Sequence, residues 1–328
     1  MELKELANER KWFDFTEKIK EELKKSSDAQ KAEEMAEIFM NCMKRIHPLS
    51  ITSTVVSLFP YLNPEKALEL ITQAISSISS FIGESAYEQE IICLKLYHCI
   101  GSIKMNNFED IESYIFYLKK SNVSNENFSL SLFVAALYYE AIGDIENAQE
   151  NLFIHAKQSG IVEDIEKLVR FSILSKSFFD FAAISSFNEF EELNNTKLKE
   201  LFINFQEGDI LKIDSKEACQ LLGVESVEYL KEKICLVNIL KLCFKSEQKY
   251  ILIEEIMNFL QMDEQSVIVL LMNALGLNIM NGWIDSEQRI FYFNSILPRS
   301  LNSTELQNMK FKFVEWRSRV QKVLEAME

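Results

Sequence analysis

Across 328 residues this chain carries only 8 glycines and 4 prolines. Tight turns in sheets consume those two residues, and phosphate-binding βαβ units need glycine where the backbone meets a ligand. An all-β sandwich, a barrel or a βαβ nucleotide fold is therefore not expected, and collagen-like and linker-rich architectures are excluded. The expectation is a mostly helical globular chain. With 48% hydrophobic residues and 24 phenylalanines it can bury a large core. At roughly 150 residues per domain, its length points to about two domains.

Charge and motifs then remove function classes. The chain has 35 basic and 50 acidic residues, a net charge of -15 and a sequence pI near 4.9. Such an excess repels phosphate backbones and anionic lipid. The opening Met1-Glu2-Leu3-Lys4-Glu5 has acids where a secretory leader needs basic residues, so no leader is expected there. The apolar run from Val267 to Met272 is far too short to span a bilayer. Cysteines 42, 93, 99, 219, 235 and 243 show neither a C-x-x-C motif nor a disulfide framework, which points to reduced thiols in a reducing compartment. No P-loop, dinucleotide turn or nucleophile elbow occurs. His47, His98 and His155 lack zinc-ligand spacing, and Cys93, His98 and Cys99 match no common metal site. Carboxylate pairs such as Glu254-Glu255 read as solvated faces in a chain this acidic. No catalytic, cofactor-binding or metal residue is expected, and the chain is read as a non-enzyme.

In the first half, helical pairs recur. Leu130, Val134, Leu137 and Ala141 form one helical stripe, and Gly143-Asp144 is a turn in which Gly ends a helix and Asp caps the next. The second helix sets Ile145, Ala148, Leu152 and Ala156 on one face. With Ala136 and Tyr139, these positions resemble a tetratricopeptide pair. Similar turns precede Ile111 and Ala67, and a further apolar segment runs from Phe178 to Phe187. The spacing between comparable positions is irregular, so a degenerate tetratricopeptide-like solenoid is expected, with extended surfaces suited to partners.

After about residue 230 the pattern changes. Lys231 to Lys245 reads as a helix with Ile234, Val237, Leu240 (or Lys241) and Phe244 on one side. A short helix from Ile253 to Leu260 follows, then one capped by Asp263 and reaching Leu277. Asn281-Gly282-Trp283-Ile284, a turn at Asp285 to Gln288 and the strand-like Arg289 to Phe293 complete the outline of a winged helix. No Lys or Arg occurs from Asp263 to Met280, so the third helix lacks the cations that read base edges. Its apolar middle is expected to be buried. This winged helix is read as a protein-contact module.

The last segment is the sharpest. Asn302 and Glu305 suit a capping box, beyond a break at Pro298. Leu306, Met309, Phe313, Trp316, Val320, Val323 and Met327 then recur at alternating spacings of three and four, an a/d seam. The seam is flanked by Lys310, Lys312, Glu315, Arg317, Arg319 and Lys322. Such a helix either lies back on its own domain or joins helices of other chains, and the narrow seam beyond a proline favours the second.

A helical solenoid leading into a non-basic winged helix and one last helix resembles the PCI architecture of the proteasome lid, the signalosome and translation initiation factor 3. Glu254-Glu255-Ile256, Val269 to Leu277 (VLLMNALGL), Gly282-Trp283-Ile284-Asp285, Leu297 to Leu301 and Asn308-Met309-Lys310 through Trp316 are similar to the 26S proteasome non-ATPase regulatory subunit 13 family. Upstream, Arg45 to Ser50, Pro64 with Ala67-Leu68, and Tyr138 to Gly143 follow the same family in order. The resemblance implies an all-α fold with a small β wing: a solenoid over 1-165, a PCI domain over 166-300 and a bundle helix over 301-328. The PCI domain would comprise a helical part, 166-230, and a winged helix, 231-300. It further implies a non-catalytic lid subunit supporting ubiquitin-dependent degradation in cytoplasm and nucleus. Partners would be other PCI subunits, met through the winged helix and the terminal helix, with the ubiquitin-receptor subunit and the deubiquitinase pair nearby. Nucleic acid and membrane are not expected partners. Leu306 to Met327 of the seam would be the partner-helix interface, and Trp283, Ile284, Ile290 and Tyr292 the wing edge. The alternatives are a PCI scaffold of the signalosome or initiation factor 3, or a free-standing peptide-holding adaptor.

Overall fold

The computed structural model describes residues 9–25, 28–81, 87–208, 215–223, 228–246, 248–297 and 303–327, together with Leu3 and Leu6. The chain divides into two compact units, Met1–Ser159 and Gly160–Glu328. Pro298 and the Asn302 cap lie outside the described residues, as does the segment 298–301.

The first unit is a succession of helices: α1 Trp12–Lys25, α2 Ala29–Cys42, α3 Pro48–Leu58, α4 Pro64–Ser79, α5 Glu88–Lys104, α6 Ile111–Lys120, α7 Asn125–Ala141 and α8 Ile145–Ser159. Two prolines open helices: Pro48 and Pro64 sit at the first positions of α3 and α4, where the missing N–H costs nothing. His47 caps α3 by accepting the Leu49 N–H at Nδ1, and Asp28 and Ser124 cap α2 and α7 in the same way. At the expected α7–α8 turn, Gly143 takes φ +82° and Asp144 accepts the Asn147 N–H. Ala148, Leu152 and Ala156 are buried as that helical face requires.

The stripe expected on α7 is corrected. Ser131, Leu132, Ala135 and Tyr138 are buried alongside Val134, whereas Ala141 is exposed. The reason is position: α7 packs against both α5 and α8, so it buries two faces rather than one.

The second unit begins with α9 Val162–Leu174, α10 Phe181–Ser185, α11 Asn188–Glu191, α12 Thr196–Glu207, α13 Ser215–Leu222 and α14 Glu228–Lys245. The apolar segment from Phe178 to Phe187 is only one short helix and its flanks. Its rings instead fill a cluster, with Phe181 edge-on to Phe202 at 5.3 Å and Phe190 against Phe202 at the same distance.

The winged helix follows as β1 Tyr250–Leu252, α15 Ile253–Leu260, α16 Glu264–Gly276, β2 Met280–Asp285 and β3 Ile290–Ile296. Helices α15 and α16 fall where the residues place them, with the Asp263 carboxylate accepting the Ser266 N–H as N-cap. The sheet has one more strand than the hairpin read from sequence. β1 pairs antiparallel with β3, giving the order β1-β3-β2. Three residues are too few to show alternation, so Tyr250–Leu252 is invisible as a strand until it pairs. Phe291, Phe293 and Ile251 point inward and are buried. Gly282 marks a register break, and a Cβ there would collide with the Tyr292 backbone.

The terminal helix, α17 Ser303–Met327, closes the chain.

Candidate protein-interaction site

Two neighbouring side chains tie α14 to α9 within the second unit. Tyr229 and Lys233, one turn apart on α14, meet the C-terminus of α9, where four carbonyls lack intrahelical partners. The Tyr229 hydroxyl donates to the Leu174 carbonyl at 3.0 Å. The Lys233 ammonium donates to the carbonyls of Ser172 at 2.7 Å, Ile173 at 3.2 Å and Ser175. Lys233 is 1% exposed, with the Phe179 and Phe181 rings each 5.4 Å from its nitrogen. A cation at a helix C-terminus also meets the negative end of the helix dipole. Sequence reading passed over this residue.

Next to Lys233, Tyr229, Leu236, Phe179, Met272 and Leu277 line a groove of about 360 Å³. Its α16 wall corrects the expectation of a buried third helix. Val267, Leu270, Leu271 and Ala274 are buried, but Val269 is 55% and Met272 60% exposed. The helix thus covers the core with one face and offers an apolar, cation-free face to solvent. Phe244 on α14 is 48% exposed.

The wing residues separate into two groups. Trp283 and Ile284 lie on β2, an edge strand, with Trp283 exposed and Ile284 half-buried. Ile290 and Tyr292 lie on β3, which is paired on both sides and is not an edge: Tyr292 sits between Tyr250 and Trp283, and Ile290 between Leu252 and Asp285. What these residues share is a face. Trp283 stacks on Tyr292 at 5.1 Å, and Tyr292 meets Tyr250 at 5.9 Å. The result is a cross-strand aromatic row on the outer side of the sheet.

On α17 every described side chain from Met309 to Glu325 is exposed. Leu306, Met309, Val320 and Val323 are exposed, Phe313 is 57% and Trp316 64% exposed. The Met327 side chain, like the Glu305 half of the capping box, lies outside the described residues. The heptad reading missed further apolar positions: Phe311, Val314 and Leu324 are also exposed. Leu324 widens the seam, whereas Phe311 sits on the opposite side of the helix, so α17 is apolar on two faces. A helix in that state suits contact with more than one neighbour.

Among the described residues, burial shifts several titratable groups. Burial pushes the thiols of Cys93 and Cys99 up to about 11 and that of Cys243 up to about 12, and lowers His98. All six cysteines are free. Among the described residues no cluster of three or more His, Cys, Asp or Glu could hold a metal, and no helix is long and apolar enough to cross a membrane. The thiols carry a prediction. A group held protonated in the fold but ionising near its ordinary value of 9.0 when unfolded contributes fully below pH 9. Its contribution falls as pH rises from 9 through about 11. Melting temperature should therefore be insensitive to these thiols at neutral pH and decline above pH 9. In the native chain, iodoacetamide should label the half-exposed Cys42 and Cys219 before Cys99 and Cys243. Equal labelling of all six would contradict this burial.

Residues 198–295, from α12 to the end of the wing, match the PCI domain family. The chain is similar to the 26S proteasome regulatory subunit RPN9 of Saccharomyces cerevisiae, at 26% identity over 125 residues, 37% of this chain and 32% of that protein. It is similar to the 26S proteasome non-ATPase regulatory subunit 13 of Dictyostelium discoideum, at 22% identity over 272 residues, 80% of this chain and 63% of that protein. A third relative, the probable 26S proteasome regulatory subunit rpn9 of Schizosaccharomyces pombe, is 21% identical over 320 residues, 88% of this chain and 81% of that protein. The matches thus span about a third of the budding-yeast relative and under two thirds of the Dictyostelium one. With its helical repeats and its winged helix, the chain carries a PCI domain over residues 198–295 and is similar to 26S proteasome regulatory subunits of the non-ATPase subunit 13 and RPN9 kind.

Proposed function

We propose that this chain is a non-catalytic structural subunit of the lid of the proteasome regulatory particle, supporting lid assembly and thereby ubiquitin-dependent degradation. The observation that carries the reading is α17: a 25-residue helix whose described apolar side chains are exposed along the seam. Left in water, such a surface is a docking element, because burying it elsewhere gains about 25 cal/mol per Å². The PCI match and the names of the relatives supply the context, other proteasome regulatory subunits. In this reading α17 enters a helical bundle with other PCI subunits. The unpaired edge of β2, bearing Trp283 and Ile284, meets a neighbouring winged helix. The first unit lies near the ubiquitin-receptor subunit, and the deubiquitinase pair is a further partner. The compartments are cytoplasm and nucleus.

The test is a tagged pull-down of the full chain against a version ending at Leu297, with co-purifying proteins identified by mass spectrometry. Lid subunits should accompany the full chain and fade with the shortened one. Recovery of signalosome or initiation-factor subunits would keep the PCI fold and overturn the lid assignment.

A further inference from the structure

The charges beside the seam of α17 follow a rule. With Phe313 and Val320 as a positions and Met309, Trp316 and Val323 as d positions, Lys310 and Arg317 fall at e, and Lys312 and Arg319 at g. Between Met309 and Val323 every e and g position is basic, on both sides of the seam. The helix carries five cations and three anions, within a chain of net charge -15. All four flanking cations are exposed. Among the described residues, Lys310, Lys312 and Arg317 have no carboxylate partner. Arg319 has only Glu315 of its own helix, at 3.9 Å with both side chains open to water, a contact worth little.

We infer that α17 is coded to accept a different helix flanked by Asp and Glu, and to reject a second copy of itself. In a parallel pair of identical helices, Lys312 of one copy would face Arg317 of the other. In an antiparallel pair e would face e and g would face g. Every arrangement sets cation against cation, which specificity in helical bundles exploits as repulsion. A partner with an apolar seam and acidic e and g positions satisfies both the apolar stripe and the exposed cations beside it. The inference rests on the seam reading above, and adds to it the chemistry of the partner.

The test separates the two. A full-length K310E/K312E/R317E/R319E variant keeps the seam and reverses the flanks. Expressed with a tag in cells, it should recover assembled partner subunits roughly tenfold less well than the native chain, with unchanged far-UV helicity and melting. Recovery equal to the native chain would overturn the charge code and leave the seam reading standing. Sedimentation velocity gives a second readout. The native chain and the variant should each be monomeric, and their equimolar mixture should associate in a way that high salt weakens. Self-association of the native chain as strong as the mixture, or no association in the mixture, would overturn the proposal. If the F313A/W316A variant assembles normally, the seam reading itself fails, whatever the flanks do.

Discussion

Replacing Phe313 and Trp316 together by alanine should leave the isolated chain folded and remove it from its complex. Both rings are more than half exposed, so their truncation takes away little buried surface among the described residues. Surface changes of this kind stay within about 0.5 kcal/mol, which predicts an unaltered melting temperature and unaltered far-UV spectrum. In a bundle the same rings become buried aromatic anchors, each costing about 2 kcal/mol or more when cut to alanine. Two of them come to about 4 kcal/mol, a loss of roughly a thousandfold in affinity. Size-exclusion of tagged complexes reads the loss directly. A large fall in melting temperature with assembly retained would instead mean that α17 packs on its own unit.

Lys233→Met should do the opposite, striking the fold before the assembly. Methionine keeps most of the aliphatic stem and fills the space between Phe179 and Phe181. It removes the donor from three carbonyls at the end of α9, while Tyr229 still serves the fourth. Taking a donor from a buried acceptor costs up to about 1–3 kcal/mol, and part of this is relieved because a buried charge disappears as well. A net loss of about 3 kcal/mol is expected, about 10 °C in melting temperature for a unit of this size. Thermal melts of the purified variant check it. A variant as stable as the native chain would show that desolvating the ammonium cancels its hydrogen bonds. The neighbouring Lys231→Met, on an exposed position of the same helix, serves as the control.

The fold was largely legible because its signals are local. Proline at helix starts, Gly143-Asp144 at a turn and Asp263 before an apolar run each act through the backbone within a few residues. The terminal a/d repeat was legible for a related reason: it is a pattern within one helix, whose described apolar side chains are exposed. What escaped depends on contacts distant in sequence. β1 exists only because Tyr250–Leu252 pairs with a strand some forty residues later. That pairing moved Ile290 and Tyr292 from an edge to the centre of the sheet. The two-sided burial of α7 and the half-open α16 follow from which neighbours cover them, and periodicity does not report neighbours. Lys233 could have been suspected. It ends the charged triplet Lys231-Glu232-Lys233, just before the apolar run that starts at Ile234 and one turn after Tyr229, yet nothing local points to the carbonyls it serves at the end of α9. On α17 the apolar positions outside the seam, Phe311 and Val314, were hidden by the search for a single stripe.

Hydrogen–deuterium exchange over α17, compared between the free chain and the purified complex, tests the central claim most directly. Backbone amides from Leu306 to Val323 should exchange readily in the free chain, where the helix has no described packing, and become strongly protected on assembly. Protection already complete in the free chain, or unchanged in the complex, would contradict a terminal helix that docks between chains.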